Sequence, residues 1–220
     1  CMKISDITVN YIDHCGSDLS VVDAARVSFN KVSELVNGEL SNSDVKLITY
    51  LAKHKHTSPF NHCFLTVRVK APIFVARQLV KHKFMPWNET SRRYVQDEPE
   101  FYFPDVWRGK ADNVKQGSSN EAVMLPLSKY IDTIKESLAN YEEALEFGCC
   151  AEQARMLLPQ NTMTDWVWSG TLGAFCDMLN LRLDSHTQFE TRVVAEKISD
   201  IVKNCFPISH KALLDNKDSQ

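Results

Sequence analysis

The sequence predicts a mixed α/β fold, and three observations carry that prediction. Two short segments alternate apolar and polar residues at the period of a half-buried strand. Several longer segments repeat apolar residues every three or four positions, the period of a helix packed on one face. The chain has 220 residues, 44% hydrophobic and 24% charged, an ordinary globular balance. A chain of this size buries roughly 70% of its unfolded surface without disulfide support. A single domain over residues 1–220 is therefore expected.

The first helix is expected from about Ser17 to Phe29, with Asp18 and Ser20 as caps and Leu19, Val22, Ala25 and Phe29 on one side. Asp44 to His54 reads as a second, carrying Leu47, Ile48 and Leu51, and Pro59 bars any continuation. Cys63 to Lys70 alternates Cys63, Leu65, Val67 and Val69 against Phe64, Thr66, Arg68 and Lys70, the strand pattern. Pro72 opens another helix running to about Lys83, on which Arg77 and Lys81 share one face and Gln78 and His82 another. Pro86 breaks it. Trp87 to Tyr94 is expected to be a polar loop beside the basic helix end, a candidate binding site.

Phe101 to Gly117, rich in aromatics, glycine and proline, is expected to be irregular and exposed. A long structural helix follows, with Val123, Leu127, Tyr130, Ile134, Leu138, Tyr141 and Leu145 in register until Gly148 ends it. Glu152 to Leu158 reads as a short helix stopped by Pro159. Thr162 to Trp168 reads as a strand whose Trp166 and Trp168 pack inward. Thr171 to Arg182 and His186 to Asn204 are two further helices, with Pro207 closing the second.

The net charge of −3 argues against bulk affinity for nucleic acid, but the charge is unevenly spread. Arg68, Lys70, Arg77, Lys81, Lys83, Arg92 and Arg93 against Glu89 alone give that stretch +6, while the remainder carries −9. A small phosphorylated ligand suits this distribution better than a duplex. The seven cysteines include no Cys-x-x-Cys pair and read as buried thiols of a reducing, cytoplasmic protein. No apolar run approaches membrane-spanning length and the first residues lack a signal-peptide core; Cys1 ahead of Met2 reads as an appended residue. His54, His56 and His62 have no neighbouring Cys or carboxylate to complete a ligand set, so no metal is expected.

Lys81-His82-Lys83, followed after seven residues by Ser91, resembles the Arg-His-Arg, seven residues, Ser signature of the flavin-dependent thymidylate synthases. Ala24 to Phe29, His56 to His62, Ala154 to Pro159 and Asn180 to Glu190 extend the resemblance, in the family's order, over about residues 18 to 210. It implies a twisted, mixed or antiparallel sheet flanked by helices, and a homotetramer whose active sites draw on several subunits. The implied reaction turns dUMP into dTMP, with methylenetetrahydrofolate as carbon donor and FAD, recharged by NADPH, as electron source. A +6 segment in an acidic protein suits those anionic ligands.

By the family pattern, Gln78, Glu89, Ser91, Arg92, Arg93 and Arg155 hold dUMP, with Arg93 and Arg155 on its phosphate. Arg182 matches the arginine beside the uracil, where a fixed cation stabilises developing negative charge; Ser91 orients the ring rather than attacking it. Arg182, Ser91 and His82 form the expected catalytic set. Ser28, His56, Ser58, Lys81, His82 and Lys83 match flavin-contacting positions, with Glu89 shared and His82 near the folate stacking site. The chain departs from the pattern in Lys81 and Lys83, which replace both signature arginines, and in Arg92, where glycine is common. Thr171 and Asp177 stand where flavin-contacting asparagines are frequent. Two other readings use the same residues: a pyrimidine nucleotide hydroxymethylase, and a flavin- or nucleotide-binding protein without turnover.

Overall fold

The computed structural model describes residues 2–112 and 115–214; Cys1, read as an appended residue, lies outside them. In chain order the elements are β1 (Lys3–Ile4), β2 (Thr8–Cys15), α1 (Asp18–Arg26), α2 (Asn42–Lys53), β3 (Phe64–Pro72), α3 (Ile73–Leu79), β4 (Trp87–Glu89) and β5 (Glu100–Phe101). There follow β6 (Arg108–Lys110), β7 (Ser118–Ala122), α4 (Leu127–Glu146), α5 (Ala151–Ala154), β8 (Met163–Thr171), α6 (Leu172–Arg182), α7 (Phe189–Cys205) and α8 (Pro207–Leu214). Short 3-10 turns cover Val27–Phe29, Ser58–His62 and Arg155–Leu157.

The central sheet is antiparallel in the order β2-β3-β8-β4. Strand alternation explains its two faces. Leu65, Val67 and Val69 of β3 lie on the buried side, and register sets Val67 opposite Trp168 and Val69 opposite Trp166. That face packs on α6, α7 and the buried ends of α1, α2 and α8 to form the main core. Arg68, Lys70 and Asp165 project from the other side, so the sheet is core on one face and a polar floor on the other. A smaller cluster of Phe101, Leu138, Tyr141 and Ala154 sits beneath α4.

Several boundaries differ from the sequence reading. The first helix stops at Arg26, and Val27–Phe29 continue as a 3-10 turn. Its cap is also different: the Ser17 N–H donates to Ser20 Oγ at 3.0 Å. Asp18, buried, instead accepts from the backbone N–H groups of Ile208 and Ser209, both at 2.9 Å. It thereby caps α8, which Pro207 opens rather than merely closing α7. Helix α3 ends at Leu79, so Lys81 and His82 leave the faces that Arg77 and Gln78 occupy. Pro86 disfavours helical backbone just before it, Phe84 takes a left-handed φ of 60°, and the Lys81 to Lys83 triplet becomes a turn.

Trp87–Glu89, expected as loop, is an edge strand on β8, and the Trp87 ring stacks on Trp166 at 4.3 Å. Three residues contain too few alternations to reveal a strand locally. Strand β2 escaped notice because its residues are mostly exposed and a register shift between Tyr11 and Asp13 breaks the pattern. The stretch expected to be irregular holds β5 and β6, and β6 pairs with β7, while the long helix begins only at Leu127. Cys63 and Cys176 are buried, and burial pushes their thiols up to about 11 and about 12. Cys15 and Cys150 are exposed, contrary to the expectation of buried thiols throughout. Among the described residues no helix is long and apolar enough to cross a membrane.

Candidate active site

A cavity of about 690 Å³ opens on the polar face of the sheet. Its floor is Arg68, Lys70 and Asp165, and its rim is the segment from Glu89 to Arg93 together with Arg155. Five of the residues expected to hold a nucleotide, Glu89, Ser91, Arg92, Arg93 and Arg155, thus converge on one space. Strand β4 and the chain after it deliver the first four, and the 3-10 turn after α5 delivers Arg155. Glu89 is fixed by hydrogen bonds from Trp87 Nε1 at 2.9 Å and Thr164 Oγ1 at 2.7 Å. Ser91 Oγ accepts the Arg93 N–H at 3.3 Å, which tightens the chain after β4.

Three of the seven cations of the +6 segment are paired in the folded chain. Arg68 bonds Asp165 at 2.8 Å, Lys70 bonds Glu100 at 2.6 Å, and Arg93 bonds Glu152 at 2.8 Å. Arg92 donates to the Asp97 carbonyl and Arg155 to the Glu152 carbonyl, so among the described residues neither makes an ion pair. One residue, Glu152, therefore holds both Arg93 and Arg155. It was missed in the sequence, although its position three residues before Arg155 on a short helical turn places it beside that side chain. The Arg93 to Glu152 pair is exposed, and such pairs are worth about 0–1 kcal/mol, so the carboxylate holds this arginine only weakly.

Gln78 and Arg182 do not line this space. They line a second cavity of about 480 Å³ with Lys81 and Gln188. Arg182 is rigidly held: Nε donates to His82 Nε2 at 3.0 Å and Nη2 to the Gln78 carbonyl at 3.0 Å. Because guanidinium nitrogens only donate, His82 Nε2 must accept, which leaves the proton of the neutral ring on Nδ1. Burial, then the adjacent Arg182 cation, lowers the His82 pKa below the ordinary histidine value. Burial also lowers that of Arg182. Gln78 is locked as well, its Oε1 accepting from Thr191 Oγ1 at 3.0 Å and its Nε2 donating to Gln188 Oε1 at 2.5 Å. Thr191 and Gln188 are supports that no local sequence signal marked.

A third cavity, about 500 Å³, is lined by His82, Lys83, Thr171, Asp177 and Asn61. Thr171 spends its hydroxyl on structure, accepting from the Ala174 N–H at 3.1 Å as the cap of α6 and donating to Asn61 Oδ1 at 2.9 Å. Asp177 lies on the cavity wall, and the desolvating protein around it raises its pKa above the usual carboxylate range. His82 joins this cavity to the second one, since the same ring lines the third and bonds Arg182. Ser28, His56 and Ser58 are exposed and line none of the three cavities, although Thr57, between the last two, lines the third.

These features describe an α/β protein with a cavity lined by charged residues of both signs and a separate, rigid Arg–His pair. The chain belongs to the family of thymidylate synthase complementing proteins, which matches residues 10–208. It is 39% identical over 206 residues to a flavin-dependent thymidylate synthase from Thermotoga neapolitana, covering 94% of this chain and 90% of that one. A flavin-dependent thymidylate synthase from Wolbachia pipientis wMel is 38% identical over 214 residues, covering 94% and 73%. Among solved structures, the UMP/dUMP methylase PolB from Streptomyces cacaoi, bound with 5-Br dUMP, superposes with a TM-score of 0.85 at 31% identity, covering 98% and 97%.

Proposed function

We propose that this protein catalyses the reductive methylation of dUMP to dTMP, taking the carbon from methylenetetrahydrofolate and using FAD recharged by NADPH. The family supports the coarser part: the protein is an enzyme, a flavin-dependent thymidylate synthase that methylates dUMP. The observation that carries the site is the convergence of Glu89, Ser91, Arg92, Arg93 and Arg155 on one cavity.

Arg93 and Arg155 bind the nucleotide phosphate, Arg93 exchanging the Glu152 carboxylate for it. Ser91 orients the uracil by hydrogen bonding. Arg182, unable to swing because His82 and the Gln78 carbonyl hold it, supplies a fixed cation to charge developing on the ring as C5 gains its carbon. The Arg182 cavity and the phosphate cavity lie apart in one protomer, so a complete site needs the phosphate face of one copy against the Arg182 face of another. A homotetramer with shared active sites meets that requirement.

The donor set suits an anionic flavin. Lys81 and Lys83 make no ion pair among the described residues, and each opens on a different cavity beside His82. With Ser28, His56, Ser58, Thr171, Asp177 and Glu89, they would hold FAD where faces of neighbouring copies meet. FAD, once bound, supplies the hydride equivalents of the reduction. A cytoplasmic location and a single domain over residues 1–220 fit this reading.

A flavin absorbance spectrum, tritium release from C5-labelled dUMP and the product mass test the reading together. The expected result is flavin-dependent tritium release with dTMP as product. A product heavier by one oxygen would replace it with a hydroxymethylase, and flavin binding without tritium release would leave a binding protein. The neighbour's description as a UMP/dUMP methylase favours including UMP as a second substrate in that assay.

A further inference from the structure

A cavity of about 750 Å³ that the proposed reaction leaves unused lies between α4, the β6–β7 hairpin and the start of α7. Its volume falls within the range of small-molecule sites, about 300–1,000 Å³. Six aromatic rings line it: Phe74, Tyr102, Phe103, Trp107, Tyr130 and Phe189. The walls are fixed in place. Tyr102 exchanges backbone and side-chain hydrogen bonds with Asn161 at 2.9 Å each, and the Val123 N–H donates to the Trp107 carbonyl at 2.8 Å.

One cation is built into this aromatic enclosure. The Arg108 guanidinium lies over the Phe189 ring at 4.5 Å. Its Nε donates to Ser118 Oγ at 3.1 Å and its Nη2 to Asn120 Oδ1 at 2.7 Å, both neutral acceptors. Among the described residues Arg108 makes no ion pair, unlike Arg68 and Arg93 of the phosphate cavity. The wall carboxylate, Glu190, accepts from Gln188 Nε2 at 3.2 Å. Gly117 seats the hairpin tightly: its φ is +89°, and a Cβ there would come within 3.0 Å of the His186 carbonyl oxygen. Gly117 and Gln188 line both this cavity and the Arg182 cavity, so the two spaces adjoin.

We propose that this cavity binds a planar aromatic molecule carrying an anionic group, the ring held among Trp107, Tyr130 and Phe189 and the anion on Arg108. Aromatic walls reward stacking, and a guanidinium already ordered by neutral partners keeps its charge for a ligand. The chemistry has two sources: the benzoylglutamate tail of a folate, reaching over from the adjoining site, or a free aromatic carboxylate.

The test uses the full chain with 8-anilinonaphthalene-1-sulfonate as probe and the uncharged N-phenyl-1-naphthylamine as control, both read by fluorescence. The sulfonate should bind at one site per chain, undisturbed by saturating dUMP. Arg108→Gln, at a half-buried hairpin position, should weaken the sulfonate by about ten-fold or more and leave the uncharged control nearly unchanged. Trp107→Ala should weaken both, and Arg108→Lys should fall between parent and Arg108→Gln. Unchanged sulfonate affinity in Arg108→Gln, displacement by dUMP, or no binding to the parent would overturn the proposal. Folic acid, 4-aminobenzoylglutamate and plain 4-aminobenzoate then separate the sources. Stronger displacement by the two glutamate-bearing compounds than by 4-aminobenzoate assigns the cavity to a folate tail, equal displacement by all three assigns it to a free aromatic carboxylate, and displacement by none overturns the proposal.

Discussion

The cavity beside β4 and the Arg182 to His82 pair both present arginines, yet they hold them in opposite ways. In the first, Arg93 and Glu152 form an exposed pair with side chains 46% and 56% accessible, so the arginine is held weakly and can trade partners. In the second, Arg182 is half-buried and bonded to groups that offer no negative charge, an imidazole nitrogen and a backbone carbonyl. The first arrangement suits binding, where a phosphate must displace something. The second suits a cation that must not move while charge develops beside it, because its orientation is settled before the substrate arrives.

Arg182→Ala breaks that comparison most severely. Turnover at saturating dUMP should fall by about a hundred-fold or more, the usual cost of removing a fixed charge-stabilising donor. The same variant should raise the His82 pKa, read by NMR titration, because the neighbouring cation is gone while burial remains. Arg155→Ala should instead raise the dUMP concentration for half-saturation by about ten-fold with turnover nearly unchanged, since a phosphate contact is made in ground and transition states alike. Equal kinetic signatures for the two variants would remove the distinction between them.

Ser91→Ala should lower activity by about ten-fold or less, because an orienting hydrogen bond is worth about 0.5–1.5 kcal/mol. Complete inactivity of the folded, flavin-loaded variant, or a Ser91 adduct in the mass spectrum, would make this serine the attacking group. A smaller effect is expected when Lys81 and Lys83 are both changed to arginine: FAD should bind a few-fold more tightly in a fluorescence titration, because planar forks direct more phosphate contacts than point charges. Equal or weaker binding would refute that account of the two lysines.

The smallest effect concerns pH and the rigid pair. His82 is held neutral in the folded chain, so below the ordinary histidine pKa of about 6.5 the unfolded chain takes up a proton that the folded one resists. Stability should therefore decline as pH falls below that value and level off once the lowered folded pKa is passed. Denaturant midpoints measured across this window should lose that decline in His82→Gln. A decline that persists unchanged would assign it to other groups.

The sequence alone determined much of the scaffold and the membership of the site. Period-two alternation in Cys63 to Lys70 set the core face of β3 and, by the same parity, placed Arg68 and Lys70 on the side that became the floor of the phosphate cavity. Helix α6 was legible from Thr171 to Arg182 because apolar spacing is a local property. The spaced Lys81-His82-Lys83 and Ser91 marked the site for the same reason: a motif is a linear pattern.

Tertiary structure decided what depends on partners distant in the chain. Strand β4 exists through its pairing with β8, and Asp18 caps a helix that begins nearly two hundred residues later. The net charge of the Arg68 to Arg93 segment said nothing about Asp165, Glu100 and Glu152 arriving to pair with three of its cations. Nor did it divide the expected residues, five on one cavity and Gln78 with Arg182 on another. Electrostatic pairing and cavity shape are set by through-space distance, which the order of residues along the chain does not encode locally.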